Sequence, residues 1–307
     1  MKRVLLTGAR GFIGRHCLPI LVSQGYDVHA VSSAKQEDCA DNVHWHQANL
    51  LDPTEVIDVV EKVRPTHLLH FAWYAVPGKY WNALENLRWV EASFFLLKVF
   101  ANQGGHRAVM AGTCAEYDWR YGYCSEQTTP LTPTSVYGRC KHELQKLLGA
   151  LSEQIGLSSA WGRVFFLYGP HEHKDRLVSS VICSLMHGET AMCSHGGQIR
   201  DFLYVEDVAS AFVAVLESDV QGPINIASGH PMSLRDLVNK IGERFGRLDL
   251  IQLNAIGSPS FDPPILAADI RRLRDQVHWT PQYSIDEGLE QTIRWWTKNG
   301  ATVVHHW

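Results

Sequence analysis

From the N-terminus to about residue 168, short apolar runs alternate with stretches whose apolar positions recur every three or four residues. Runs of β-formers bounded by turn residues read as strands, and the 3.6-residue period reads as helix. The strands predicted this way are Val4–Thr7, Val28–Ser32, Leu68–Ala72, Ala108–Thr113 and Ala160–Leu167. Helices fall between them. The first runs from Gly11 to about Gln24 and is closed by Gly25. The second opens at Asp52-Pro53-Thr54-Glu55 and turns Val56, Val59, Val60 and Val63 inward. A capping Asp, a Pro in the first turn and a Glu three residues after the cap are a helix-start signature. The third, Glu85–Asn102, puts Leu87, Val90, Phe94, Leu97 and Ala101 on one stripe. The fourth carries Tyr137 ahead of Leu144, Leu147, Leu148, Leu151 and Ile155. Strands alternating with helices argue βαβ units around a parallel sheet, an α/β fold.

Beyond Pro170 this rhythm is lost and turns become frequent. Gly222–Ala227 still reads as a strand returning to the main sheet, and Ser233 and Ser284 each open a capping-box pattern. The expected division is a larger domain over 1–170 with about 200–228, and a smaller lobe over 171–199 and 229–307.

Composition narrows the class. The chain has 307 residues, 45% of them hydrophobic, which gives ample core. The net charge is −4 without a long single-sign run, so nothing points to nucleic acid or an anionic membrane as partner. The opening apolar run, Val4-Leu5-Leu6, is too short for a signal peptide or a membrane span. The cysteines form no C-x-x-C pair and read as reduced thiols of a cytoplasmic protein. The pairs His44/His46, His171/His173 and His305/His306 lack a third ligand at zinc-site spacing, so no metal is expected.

Two stretches carry chemistry. Thr7-Gly8-Ala9-Arg10-Gly11-Phe12-Ile13-Gly14 is a G-x-x-G-x-x-G turn between the first strand and the first helix. Glycines there let the backbone approach a pyrophosphate, and the helix N-terminus offers free N–H groups. At the end of the second strand stand Ser32, Ser33 and Lys35, with no carboxylate before Glu37. Hydroxyls and a cation, with Arg10 in the glycine loop nearby, favour a 2′-phosphate and hence NADP, with NAD as the alternative. The second stretch is Tyr137-Gly138-Arg139-Cys140-Lys141, a phenol and an amine four residues apart on one helix face. A neighbouring ammonium favours the phenolate, which would tune Tyr137 as an acid/base group.

Taken in order, several motifs resemble those of the extended short-chain dehydrogenase/reductase family, in its nucleotide-sugar epimerase/dehydratase/reductase branch. They are Thr7–Gly14, Asn49-Leu50-Leu51-Asp52, His70-Phe71-Ala72-Trp73, Gly112-Thr113, Tyr137-x-x-x-Lys141, Tyr168-Gly169-Pro170 and Arg200-Asp201-Phe202-Leu203-Tyr204-Val205-Glu206-Asp207-Val208. The resemblance runs essentially the full length. It implies a doubly wound parallel (Rossmann) sheet that holds NAD(P), with a C-terminal α/β lobe that holds a nucleoside-diphosphate sugar. It also implies that Thr113 hydrogen-bonds the reacting sugar oxygen, that Tyr137 transfers the proton, and that Lys141 lowers the Tyr137 pKa and holds the nicotinamide ribose. By the same resemblance Gly8, Gly11, Phe12, Ile13 and Gly14 cradle the cofactor, Asn49 and Leu50 flank its adenine, and Phe71, Ala72 and Trp73 line it. Tyr74 borders the substrate, and Arg200 pairs with the substrate diphosphate, for which a planar guanidinium is suited. The helix pair Glu85–Asn102 and the Tyr137 helix resembles the pair that forms the family's homodimer interface.

Departures from the family pattern narrow the reaction. Cys114 and Ala115 follow Thr113 where 4,6-dehydratases carry an acid/base pair, and Glu116, one step further along a strand, would point to the opposite face. Simple dehydration is therefore disfavoured. Ala115 also stands where the branch resembling GDP-fucose synthase needs a Cys, and Phe166 replaces an Asn that the family uses on the diphosphate. The expectation is NADPH-dependent reduction of a keto group, at C4, on a nucleoside-diphosphate sugar. NAD-dependent C4 epimerisation by the same residues is the alternative, and a non-catalytic dinucleotide sensor the remote one.

Overall fold

The computed structural model describes residues 2–34, 42–257 and 262–300. Its centre is a seven-stranded sheet whose strands all run parallel. Five strands come from the first half: β1 (Arg3–Thr7), β2 (Asp27–Ser32), β3 (Val43–Gln47), β4 (His67–His70) and β5 (Arg107–Thr113). Ser158–Val164 and Gly222–Ile226 complete it, in the order Gly222–Ile226, Ser158–Val164, β5, β4, β1, β2, β3. The edge strand β3 is absent from the sequence expectation. Its run Val-His-Trp-His-Gln is too polar to stand out, and pairing with β2 secures it.

Helices cover both faces, as a parallel sheet requires. These are α1 (Gly14–Ser23), α2 (Pro53–Val63), α3 (Glu85–Asn102), α4 (Val136–Ile155) and α6 (Val205–Glu217), while α5 (Leu177–Met186) belongs to the smaller lobe. On one face Cys17 and Leu21 of α1 and Val208, Ala209 and Phe212 of α6 pack on Val4, Leu6, Val28 and Ala30. On the other, α2, α3 and α4 bring Val56, Val60, Leu96, Leu97, Phe100, Leu144 and Leu148 onto Leu5, Leu68, Ala108 and Met110. Burying each such side chain contributes about 1.5–3 kcal/mol. The expected stripes need correction at their ends. Leu87, Leu147 and Ile155 are exposed. The buried line of α3 instead runs through Asn86, Ser93, Leu96, Leu97 and Phe100, so two polar side chains face inward near the site.

A second, smaller sheet has the order Met232–Ser233, Ile199–Arg200, Ile265–Ala268, Tyr123–Cys124. Its last strand comes from the segment between β5 and α4. Beside it α5 packs Val178, Val181, Ile182 and Leu185 against Leu237, Val238, Ile241, Leu289 and Trp296. Phe12, from the glycine turn, packs on this same cluster and ties the opening loop to the smaller lobe. Because the main sheet is parallel, the C-terminal ends of β1, β2, β4 and β5 share one edge. Thr7, Ser32, His70 and Thr113 therefore lie along a single crevice.

Candidate active site

The crevice begins at the glycine turn. Gly8 has φ +66°, a conformation that L side chains rarely adopt, and a Cβ there would lie 2.8 Å from Ala72 N. A Cβ on Gly14 would collide with Gly8 O, which already accepts from Gly11 N–H at 2.9 Å. Ile13, at the cap position of α1, provides no side-chain cap. Arg15 and His16 N–H already donate to Gly11 O and Ile13 O, so the donors offered to an anion are those of the turn leading into α1, in a cradle that any Cβ would narrow. These features fit a dinucleotide pyrophosphate. Arg10 is exposed, and its carbonyl accepts from Arg15 Nε at 3.2 Å. At the end of β2, Ser32 is half-buried and its hydroxyl accepts from Ala34 N at 3.2 Å, whereas Ser33 is exposed. Lys35 and Glu37 lie outside the described residues. Asn49 Oδ1 accepts from Leu51 N at 3.1 Å, which holds the turn that places buried Leu50 beside the crevice.

Beneath the turn, Thr7 Oγ1 and His70 Nδ1 are 2.7 Å apart, and His70 Nε2 lies 2.9 Å from Ser93 Oγ on α3. Burial, with Lys141 adding to it, brings His70 down to about 3. The ring is a neutral strut, and it fixes the end of β4 from which Phe71, Ala72, Trp73 and Tyr74 emerge, all half-buried.

The chemistry-bearing residues meet at the end of β5. Ser135 caps α4 by accepting from Gly138 N–H at 3.0 Å. Gly138 sits so close to Ala115 O that a side chain would not fit. That approach brings Tyr137 near Thr113, whose hydroxyl favours the phenolate. Lys141, one turn on, is buried, and its Nζ donates to Ala111 O at 2.8 Å.

Burial sets the direction of both charge shifts at this site. Burial pushes the Tyr137 phenol well above its ordinary range, Tyr80 pushes the same way, and the Thr113 hydroxyl pulls against them. Burial also draws Lys141 down to about 7, with Glu116 opposing. Desolvation outweighs the charge–charge effect because both groups are buried. Tyr80 and Trp81 present their rings at 4.9 and 5.9 Å from the Tyr137 centroid, both nearly perpendicular. Trp73 adds a third face at 6.5 Å.

Glu116 also differs from expectation. The strand ends at Thr113, whose hydroxyl accepts from Ala115 N–H and caps a single 3-10 turn, Cys114–Glu116. Strand alternation therefore does not apply. Glu116 folds back under the site, fully buried, and accepts from Thr113 N at 2.8 Å, Trp161 Nε1 at 2.8 Å and Arg163 Nε at 2.7 Å. It is a structural carboxylate, so it still supplies no acid/base pair next to Thr113. Cys114 is a buried thiol held above its usual range, first by that burial.

Arg200 is buried and ion-paired with Asp262, while its Nη1 donates to Ile199 O at 2.8 Å. Its guanidinium lies 5.4 Å over the Phe166 ring. The cation expected for the diphosphate is thus already matched by a carboxylate, and not by neighbouring Asp201 or Asp207. Asp201 instead accepts from Ser228 and Gly229, and Asp207 from Gln282 and Tyr283.

The sequence reading misses three contributors. Arg163 is signalled by a charge inside a strand otherwise uncharged, Ser-Ser-Ala-Trp-Gly-Arg-Val. Asn86 had no such signal; it is fully buried, and its Oδ1 accepts from Trp73 Nε1 at 2.8 Å. Arg176, at the cap position of α5, carries its guanidinium 5.5 Å from the Tyr80 ring centroid, within electrostatic reach of Tyr137 and Glu172. Glu172 is buried and pushed up to about 8 by that burial.

Residues 4–227 match the family model for NAD dependent epimerase/dehydratase proteins. A curated relative, UDP-glucuronic acid decarboxylase 1 of Xenopus tropicalis, is 26% identical over 97% of this chain and 72% of its own length. Among solved structures, the UDP-N-acetylglucosamine 4-epimerase of Methanobrevibacter ruminantium, in complex with UDP-N-acetylmuramic acid, superposes with a TM-score of 0.87 at 25% identity. That match covers 97% of this chain and 99% of the other. MoeE5, solved with UDP-glucuronic acid and NAD, gives a TM-score of 0.83 at 25% identity, covering 97% of this chain and all of the other. NAD is the dinucleotide named with MoeE5.

Proposed function

This chain belongs to the NAD dependent epimerase/dehydratase family, and from that premise we propose that it epimerises a nucleoside-diphosphate sugar at C4 with NAD as its resident cofactor. The observation that carries the reading is the meeting of Thr113, Tyr137 and Lys141 at the end of β5, beside the glycine cradle. It replaces the NADPH-dependent reduction expected from sequence. That expectation rested on Ser32, Ser33, Lys35 and Arg10, whereas the solved relative named with a dinucleotide carries NAD.

Gly8, Gly11, Phe12, Ile13 and Gly14 would hold the pyrophosphate, with Asn49, Leu50, Phe71, Ala72 and Trp73 along the rest of the dinucleotide. When bound, the cofactor supplies reversible hydride acceptance at the sugar carbon. The protein supplies proton handling and position. Thr113 orients the C4 oxygen, Tyr137 takes its proton and later returns it, and the aromatic roof of Tyr80 and Trp81 keeps water out. A phenol held high suits the return of the proton, and its removal calls for a charged Lys141 nearby.

Arg176 favours an acidic sugar. It places an exposed cation on the Tyr80 side of Tyr137, while Arg200 is neutralised by Asp262. A uronic acid carboxylate is the group such a guanidinium matches. The test is a panel of UDP-, dTDP-, GDP- and CDP-hexoses and hexuronates incubated with NAD alone, read by NMR of the sugar products. A C4 epimer formed without net cofactor consumption supports the reading. Turnover only with NADPH returns the reaction to reduction, and a pentose product moves it to decarboxylation.

A further inference from the structure

Trp73 stands directly beyond β4, and its indole is fixed on two sides. Its Nε1 donates to Asn86 Oδ1 at 2.8 Å. Asn86 cannot turn its amide round, because its Nδ2 donates to Tyr80 O at 2.7 Å and to Ala83 O at 2.8 Å. Trp89 backs the indole with ring centroids 6.3 Å apart. The free face of the ring lies 3.8 Å from Lys141 Nζ, the closest approach of a cation to any aromatic ring among the described residues.

We propose that Trp73 is a positioning residue, whose indole face pins the Lys141 side chain beneath Tyr137 and holds it in its ammonium form. The groups around Lys141 leave it few other supports. From β4 comes His70, a neutral ring. From β5 comes the Ala111 carbonyl. Glu116, in the 3-10 turn, is the one anion that opposes the loss of charge, and it is already shared with Arg163, Trp161 and Thr113. Ser158–Val164 contributes the Trp161 ring at 5.9 Å, and α4 itself contributes Tyr137. Burial leaves the amine poised close to neutrality, so a modest attraction decides its charge. A cation over a Trp face, converted to an equilibrium, is worth about half to one and a half pH units.

The contact stands independently of the proposed reaction; only its consequence for turnover rests on that reading. The experiment therefore has two arms on the full chain. In the first, the unliganded protein is labelled with trace acetic anhydride across pH, and the Lys141 peptide is quantified by mass spectrometry to give its titration midpoint. Trp73→Phe and Trp73→Leu are compared with the parent after circular dichroism confirms folding. The midpoint is expected to fall in the order parent, Phe, Leu, with the Leu variant lower by about half to one and a half units. A Trp that served only as packing would leave the midpoint in place in both folded variants, and that result overturns the proposal. Should Trp73→Leu fail to fold, Trp73→Phe and Trp73→Met carry the same comparison. In the second arm, the alkaline limb of turnover is expected to shift downward by the same amount. If the labelling midpoint moves and the limb does not, the contact is supported and the catalytic role assigned to Lys141 is the part that fails.

Discussion

Below Thr113, the Glu116 carboxylate is held by a main-chain N–H, an indole and a guanidinium, all of them buried. Above it, Tyr137 meets the rings of Tyr80, Trp81 and Trp73, an aromatic enclosure formed by side chains that lie before α3. The floor is a directional network in which every partner fixes another. The roof is mostly non-directional packing that can adapt to a ligand. The comparison teaches that the end of β5 at Thr113 is fixed from below, while the surroundings of Tyr137 are set from above.

Breaking the floor should have the largest effect. Arg163→Met leaves Glu116 buried without its cation, and unfolding by urea should show a loss of about 3–5 kcal/mol. If stability is instead unchanged, the floor is not the rigid part. Next comes the phenol at the boundary between the two. Tyr137→Phe should cut turnover by about 10²–10⁴-fold while leaving dinucleotide affinity near the parent value by calorimetry. Loss of cofactor binding in that variant would mean that the residue is structural. The roof should respond more weakly. Trp81→Leu removes ring contacts with Tyr80, Trp119 and Tyr137, each worth about 0.5–1.5 kcal/mol beyond area, and should raise KM more than it lowers kcat.

The smallest and most graded effect is the response to acid. His70 is held down at about 3, and His46 and His67 at about 4, in each case first by burial. The unfolded chain takes up those protons near pH 6.5, so stability is full above that value and is lost as pH falls towards 4 and below. His70→Asn should flatten the lower part of this loss in denaturation curves taken at successive pH values. An identical curve for the variant would remove His70 from the list of groups that must stay neutral.

The parts of this architecture that were legible from sequence are local ones. The glycine turn depends on a strand, three glycines and a helix in immediate succession, and the Tyr137–Lys141 pair depends only on helical spacing. What escaped depends on distant partners or on a changed backbone. Glu116 was placed on the wrong face because β5 ends at Thr113, where a hydroxyl capping a 3-10 turn stops the alternation. Its partner Arg163 lies on another strand, and Asp262, which neutralises Arg200, lies on another segment of the smaller lobe. A four-residue spacing shows a nearby amine for Tyr137 but not the burial that works on both groups. The stripe on α3 was drawn through Leu87, which is exposed, because two inward polar residues, Asn86 and Ser93, interrupt the apolar pattern.

The most direct test of Tyr137 as the proton-transfer group is a rapid-mixing experiment. NAD-loaded protein is mixed with the sugar nucleotide that turns over, and reduced-nicotinamide absorbance is followed within a single turnover. The account predicts a transient rise in the parent, and in Tyr137→Phe a rise slowed by orders of magnitude at unchanged substrate affinity. An equally fast rise in the variant would contradict it.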